Sequence, residues 1–303
     1  MSMLCITPYI RRMPSLSIVW RSTVAWGLAF GSAMAQPAAP TAAQITARIV
    51  ERSGVALPNP TVDTFKAGDS STAVRGIAVS MMATLDVLQR AAAKGHNLII
   101  THEPTFYGHR DELTVLEKEN DPVVAAKKKF IAEHGLVVWR FHDLPHQMKP
   151  DIIRKGTVRA LRWENNQRGD TTTLFQLPSL SLADLAEMAG KRLNSSAVRI
   201  VGDPNVRVSR VALTQGFPGF VANRHAFQFR SVDAVVIGED HEWEMIEYAA
   251  DAIAAGQLKG LVVLGHISSE QSGMEEVTTW LKTFITEVPV EFVPTKDPFR
   301  RLK

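Results

Sequence analysis

The chain has 303 residues, with 34 Lys or Arg against 31 Asp or Glu and a formal net charge of +3. Three of the basic residues, Arg11, Arg12 and Arg21, fall in an opening stretch without acids, so the remainder is charge-balanced and gives no basic surface for nucleic acid. The single cysteine, Cys5, lies in the same stretch, which leaves the rest without a disulfide, a thiolate metal ligand or a cysteine nucleophile.

The first residues read as a targeting segment. A basic flank precedes the small, apolar run Ser22–Ala35, and Ala33-Met34-Ala35 has the form of a signal-peptidase site. Residues 1–35 are therefore expected to be a signal peptide cleaved near Ala35-Gln36, giving an exported, periplasmic protein. No later apolar run has the length of a membrane span, so no membrane association is expected after cleavage.

From Val74 the pattern alternates between strand and helix. Val74–Met81 reads as a strand. Thr84 caps a helix over Leu85–Lys94 that Gly95 stops, and Asn97–Thr101 is the next strand. Asp121-Pro122 opens a helix ended by Gly135, and Leu136–Phe141 follows as a strand. In the middle, Thr171–Leu177 reads as a strand and Ser181 caps a helix over Leu182–Leu193. Strands are then expected near Val198 and over Val206–Thr214. The last third gives strand Asp233–Ile237, helix Glu242–Ala255, strand Leu261–Leu264, helix Glu270–Phe284 and strand Val288–Val293. The pattern predicts an α/β protein of two interlinked lobes, with mostly parallel sheets flanked by helices. The organisation read from it is an N-terminal α/β segment over 36–160, a middle segment over 161–215 that forms a possible second lobe, and a C-terminal α/β segment over 216–303.

Three of the apolar strands end in metal-binding residue types. Asn97–Thr101 runs into His102 and Glu103, Leu136–Phe141 into His142 and Asp143, and Leu261–Gly265 into His266, with Glu270 four residues on. Ligand sites in open α/β sheets lie at the carboxyl ends of strands. His102, Glu103, Asp143, His266 and Glu270 are therefore expected to form one metal site. Five nitrogen and oxygen ligands exceed what one open zinc site uses and suit a pair of divalent ions, with zinc, manganese or iron compatible with the donors. His142 and His146 are reserves as ligand, orienting group or base, and Glu239, at a further strand end, is a candidate of the same kind. P-loop, dinucleotide-binding and nucleophile-elbow signatures are absent.

The blocks GHNLIITHEP, VVWRFHDLPH, VDAVVIGEDHEWEMIEYA, LVVLGHISSEQSG and VPVEFVPTKDPF, in this order between Val74 and Phe299, resemble the NGG-interacting-factor-three-like family, often labelled GTP cyclohydrolase I type 2 homologues. The resemblance implies a dinuclear metal centre and a homo-hexamer. It matches His102, Asp143, His266 and Glu270 to family ligands, while Glu103 stands where the family has a second histidine. The function expected is metal-dependent hydrolysis of a small-molecule substrate that the sequence does not name. A non-enzymatic metal-binding or scaffold role is the alternative.

Overall fold

The computed structural model describes residues 39–169, 173–228 and 231–300. The expected leader lies outside the described residues, as does Thr171 at the expected start of the middle strand. Helix α1 (Ala42–Ser53) is capped by reciprocal Thr41–Gln44 hydrogen bonds, and strand β1 (Phe65–Ala67) follows. Then come β2 (Ile77–Ser80), α2 (Leu85–Ala93), β3 (Leu98–Thr101), α3 (Thr114–Lys118), α4 (Pro122–Glu133) and β4 (Val137–Arg140). Two helices, α5 (Asp143–Gln147) and α6 (Ile152–Leu161), lead to β5 (Leu174–Ser181), α7 (Leu182–Leu193), β6 (Arg199–Val201) and β7 (Arg207–Leu213). The last part holds α8 (Phe220–Gln228), β8 (Ala234–Ile237), α9 (Glu247–Ala254), β9 (Gly260–Val263), α10 (His266–Leu281) and β10 (Val290–Phe292).

The caps read from sequence hold the helix starts. Thr84 accepts from the Val87 N–H, Asp121 from Val123 and Val124, and Ser181 from Asp184. Two differences matter for the site. The helix expected from Glu270 starts at His266, because Gly265 (φ 92°) ends the strand path and its carbonyl already accepts the Ser269 N–H. His266 and Glu270 therefore sit one turn apart on one helix face. Helices α1, α3, α5, α6 and α8 are not expected from the sequence; Asp151, which accepts the N–H groups of Ile153 and Arg154, is the local signal for α6.

The fold is of the α/β class read from the sequence. One sheet has the order β1-β4-β3-β2-β10 and the other β5-β7-β8-β9-β6; each has a parallel centre, with β1, β5 and β6 as antiparallel edges. Strands β2, β3, β4, β8 and β9 are buried along their whole length, as parallel strands covered on both faces must be. Among the described residues no helix is long and apolar enough to cross a membrane.

Helices α6 and α10 tie the sheets together. In α6, Ile152 and Ile153 pack into the core of the first sheet, while Val158 and Leu161 pack into that of the second. Helix α10 leaves the second sheet after β9, yet its Met274, Val277 and Leu281 lie in the first core. The two helices cross in backbone contact: a Cβ on Gly156 would meet the Ser272 carbonyl oxygen at 2.4 Å, and one on Gly273 would meet the Ile153 Cα at 2.5 Å.

This contact makes a prediction against helix propensity. Gly→Ala inside a helix ordinarily stabilises by about 1 kcal/mol, but here the added methyl has backbone in its way. Gly273→Ala should destabilise by about 1–3 kcal/mol, read as a lower urea midpoint. A raised midpoint would show that the helices separate at no cost.

Candidate metal centre

The carboxyl ends of β3, β4 and β9 and the start of α10 bring their side chains to one cleft. Past the end of β3 the backbone stays bonded to the β2 side, with His102 N–H donating to the Ser80 carbonyl at 3.2 Å and Glu103 N–H to Met81 at 2.9 Å. The fully buried His102 ring has Nδ1 3.1 Å from the Phe141 carbonyl oxygen, so Nδ1 donates there and Nε2 faces the cleft. Glu103 Oε1 lies 3.2 Å from His266 Nε2, which is also 3.1 Å from Glu270 Oε2. Glu270 Oε2 is in turn 3.6 Å from His102 Nε2. The Glu270 carboxylate sits against Gly216, where a Cβ would come within 2.5 Å of Oε1.

His102, Glu103, His266 and Glu270, all read from the sequence, are thus brought together. Asp143 is not. Its Oδ2 accepts hydrogen bonds from the Thr61 hydroxyl (2.8 Å) and the Val62 N–H (3.0 Å), and its Oδ1 lies 3.1 Å from His142 Nδ1. It orients His142, and among the described residues it is not in either group around His102 whose ligand atoms lie within 4.8 Å of one another. The ring that does is His146, whose Nε2 is 3.2 Å from His102 Nε2 and whose Nδ1 bonds the Asp151 carboxylate at 3.0 Å. His142 stacks on His102 with ring centroids 4.7 Å apart and keeps Nε2 3.7 Å from Glu103 Oε1. Glu239 accepts from His266 Nδ1 at 2.9 Å, the carboxylate–histidine arrangement that sets which ring nitrogen is free.

Sequence reasoning missed several supporting residues. Arg140, the last residue of β4, is completely buried. Its Nε donates to the His102 carbonyl at 3.0 Å, its Nη2 to Glu103 Oε2 at 3.3 Å, and its Nη1 to the His109 carbonyl. It therefore holds one carboxylate oxygen of Glu103 and leaves the other for the cleft. Asp63 accepts the N–H groups of His142, Asp143 and Leu144 (2.7, 2.8 and 2.9 Å) and so fixes the turn that starts α5. Neither role has a local signal, since each pairs residues about thirty to eighty positions apart.

The buried carboxylates and imidazoles of the cluster hold one another's charges. Burial opposes ionisation of Glu103, but the hydrogen bond with His266 and the nearby imidazoles bring its pKa down to about 2. Glu270 is held well below the carboxylate range, again against burial, by His102 and His266. Burial would lower His266, yet Glu103, Glu239 and Glu270 push it up to about 12. Burial, with His102 beside it, lowers His142 to about 4, and the Asp151 hydrogen bond overcomes burial to raise His146.

The donor set fits divalent metals. His102, His142 and His146 form one group whose ligand atoms lie mutually within 4.8 Å, and His102, Glu103 and Glu270 form another. With both Nδ1 positions engaged, the two Nε2 lone pairs of His102 and His146 face each other at 3.2 Å. They repel unless a proton or cation lies between them. Ligands at zinc–nitrogen distances of about 2.0–2.1 Å would be spaced at about 3.3 Å in a tetrahedral shell.

In the metal-free protein His266 is an imidazolium clamped by carboxylates. Its raised pKa stabilises that form fully below the ordinary imidazole value near 6.5, and the contribution is lost as pH rises toward about 12. A metal that takes Nε2 must displace this proton. Metal titration near pH 8, repeated in buffers of differing ionisation enthalpy, should report release of about one proton, where an ordinary imidazole would release almost none. Equal heats in all buffers would contradict this state of His266.

The fold and site together define an α/β protein with a histidine–carboxylate cluster able to hold a metal at the strand ends of two linked sheets. The model of the Duf34/NIF3 (NGG1p interacting factor 3) family matches residues 65–298, and the chain belongs to that family. Among curated relatives it is 22% identical over 219 residues to a GTP cyclohydrolase 1 type 2 homolog from Clostridium acetobutylicum, covering 67% of this chain and 75% of that one. A hypothetical protein from Staphylococcus aureus superposes with a TM-score of 0.68 at 17% identity, over 87% of this chain and 100% of the other. A Bacillus cereus protein related to NIF3 superposes at 0.66 and 13% identity, over 88% and 100%. At these identities the solved structures share the fold.

Proposed function

We propose that the chain is an exported hydrolase that works with two divalent ions held by His102, Glu103, His146, His266 and Glu270. The observation that carries this reading is the convergence of three imidazoles and two carboxylates beside a cavity of about 310 Å³, lined by Glu103, His142, His146, His266 and Glu270 among others. A purely structural metal needs no such opening. Bound there, the ions would supply Lewis-acid charge and acidify water.

The remaining work falls to the chain itself. His142 is neutral at physiological pH, because burial and His102 lower its pKa to about 4. With Nδ1 engaged by Asp143, its Nε2 is the atom free to take up a proton at the cleft. Glu239 and Asp151 fix the ring orientations of His266 and His146. Arg140 offsets the charge of Glu103 and holds its Oε2. The substrate is a small molecule. The cyclohydrolase name belongs to the Clostridium relative, and a nucleoside triphosphate is a poor match for an exported enzyme.

Glu103 is the most direct test. Elemental analysis after dialysis against mixed zinc and manganese should find two ions per wild-type chain and one in Glu103→Ala. Glu103→His, which replaces a hard oxygen with a nitrogen donor, should retain more zinc relative to manganese. Wild-type occupancy in Glu103→Ala would remove Glu103 from the ligand set, and an unloaded wild type would end the reading.

Export rests on the Arg-flanked run Ser22–Ala35 and on Ala33-Met34-Ala35, and hexameric assembly on the family resemblance. Mature protein recovered from the periplasm should begin at or near Gln36 by N-terminal sequencing and show a hexamer's mass by light scattering. A retained leader in the cytoplasmic fraction would refute export, and a monomer's mass would refute assembly.

A further inference from the structure

Two residues on the wall of the metal cleft have polar groups that the cluster does not use. Arg154, in the first turn of α6, lines the cavity together with the ligand residues. Its guanidinium donates to the Leu213 carbonyl at 3.3 Å and feels the Asp151 carboxylate at longer range, but makes no direct salt bridge among the described residues. Gln215, two residues past the end of β7, lines the same cavity and is 5% exposed, yet neither its Nε2 nor its Oε1 has a partner. A buried amide with both ends unpaired is costly, and natural proteins rarely keep one without a use. Gln215 also precedes Gly216, whose N–H is held by the Ser269 hydroxyl at 2.9 Å and which abuts the Glu270 carboxylate.

We propose that Arg154 and Gln215 form a binding site for the phosphoryl group of the substrate, beside the metal ligands. The inference deepens the metal-hydrolase reading and rests on it for the charge of the loaded cleft. Two divalent ions would more than offset Glu103 and Glu270, and Arg154 adds a permanent positive charge, so the loaded cavity selects an anion. The guanidinium fork matches the paired oxygens of an oxyanion, and the Gln215 amide N–H₂ supplies a further donor. A tetrahedral phosphoryl group offers an oxygen to the metals while others meet Arg154 and Gln215. A planar carboxylate has only two oxygens to divide among them. Phe217, half exposed on the same cavity wall, gives an apolar surface to the organic part of the substrate. The cavity, about 310 Å³, is at the lower end of small-molecule sites and suits a compact phosphoester or the end group of a larger one.

The test uses methylphosphonate, a phosphoryl probe without a hydrolysable ester, titrated calorimetrically into mature protein whose metal content is measured in the same sample. Acetate serves as the carboxylate comparison. Wild type should bind methylphosphonate more tightly than acetate. Arg154→Met should bind it about ten- to a hundredfold more weakly with metal content unchanged. Gln215→Leu should weaken binding while raising the melting temperature, because it removes an unpaired buried amide; a merely structural glutamine would not give that combination. Equal methylphosphonate affinity in wild type and Arg154→Met would overturn the proposal and leave the metal centre standing. So would a metal-loaded wild type that ignores methylphosphonate, or that prefers acetate. A wild type that holds no metal would refute the metal-hydrolase reading. The metal-free titration then decides the anion site alone: binding lost in Arg154→Met supports it, and no binding overturns it.

Discussion

The backbone contact between α6 and α10 at Gly156 and Gly273 is the constraint on which the site depends. Each helix begins at the cleft: α6 carries Asp151 at its cap and Arg154 in its first turn, and α10 carries His266 and Glu270. Each then runs through packing shared with the other lobe, α6 between both cores and α10 into the core of the first sheet. With no side chain at the crossing, the helix starts are placed by backbone against backbone, which has little give. A ligand set drawn from two sheets could not be held to tenths of an ångström by loops alone. The close crossing lets residues from distant parts of the chain act as one site.

Charge compensation is the second requirement. Glu103 and Glu270 are 6% and 3% exposed, and buried carboxylates without partners are not tolerated. The structure satisfies them with His266 and, for Glu103, with Arg140. The two partners differ in kind. Arg140 is permanently charged and bound to two backbone carbonyls as well, so it is fixed. The proton on His266 can leave, and a cation can take over its role at the same nitrogen. The cluster is thus stable without metal and still open to it.

How much of this was legible in the sequence depends on whether the deciding contact is local. The strand ends could be read, because an apolar run that stops at a polar pair needs no information from elsewhere. That reading located His102, Glu103, His266 and Glu270. It failed to separate Asp143 from His146, three residues apart in one turn, because their directions are set from outside. Thr61 and Val62 draw Asp143 away, and Asp63 locks the turn. The sequence places the start of α10 at Glu270, four residues late, because an acidic residue suits a first helical turn. The backbone at Gly265 instead lets the helix begin at His266. Arg140 reads as one more residue of a buried strand, and Gln215 lies just past the strand Val206–Thr214 with no local signal to single it out.

His146 also bears on the one position where this chain departs from the pattern the resemblance implies. The resemblance puts a histidine where Glu103 stands, so Glu103 alone would make the site more anionic and richer in oxygen. With His146 facing His102 and Asp143 withdrawn, the cluster regains an imidazole and loses a carboxylate. The set is then three imidazoles and two carboxylates, the same count the resemblance implies, with the donors exchanged between positions. An exchange of that kind keeps the total ligand charge while moving the carboxylate to the β3 end, next to the only fully buried arginine among the described residues. Arg140 is therefore the feature that makes a glutamate at position 103 affordable. A neutral histidine there would have left its guanidinium without a carboxylate on the cleft side.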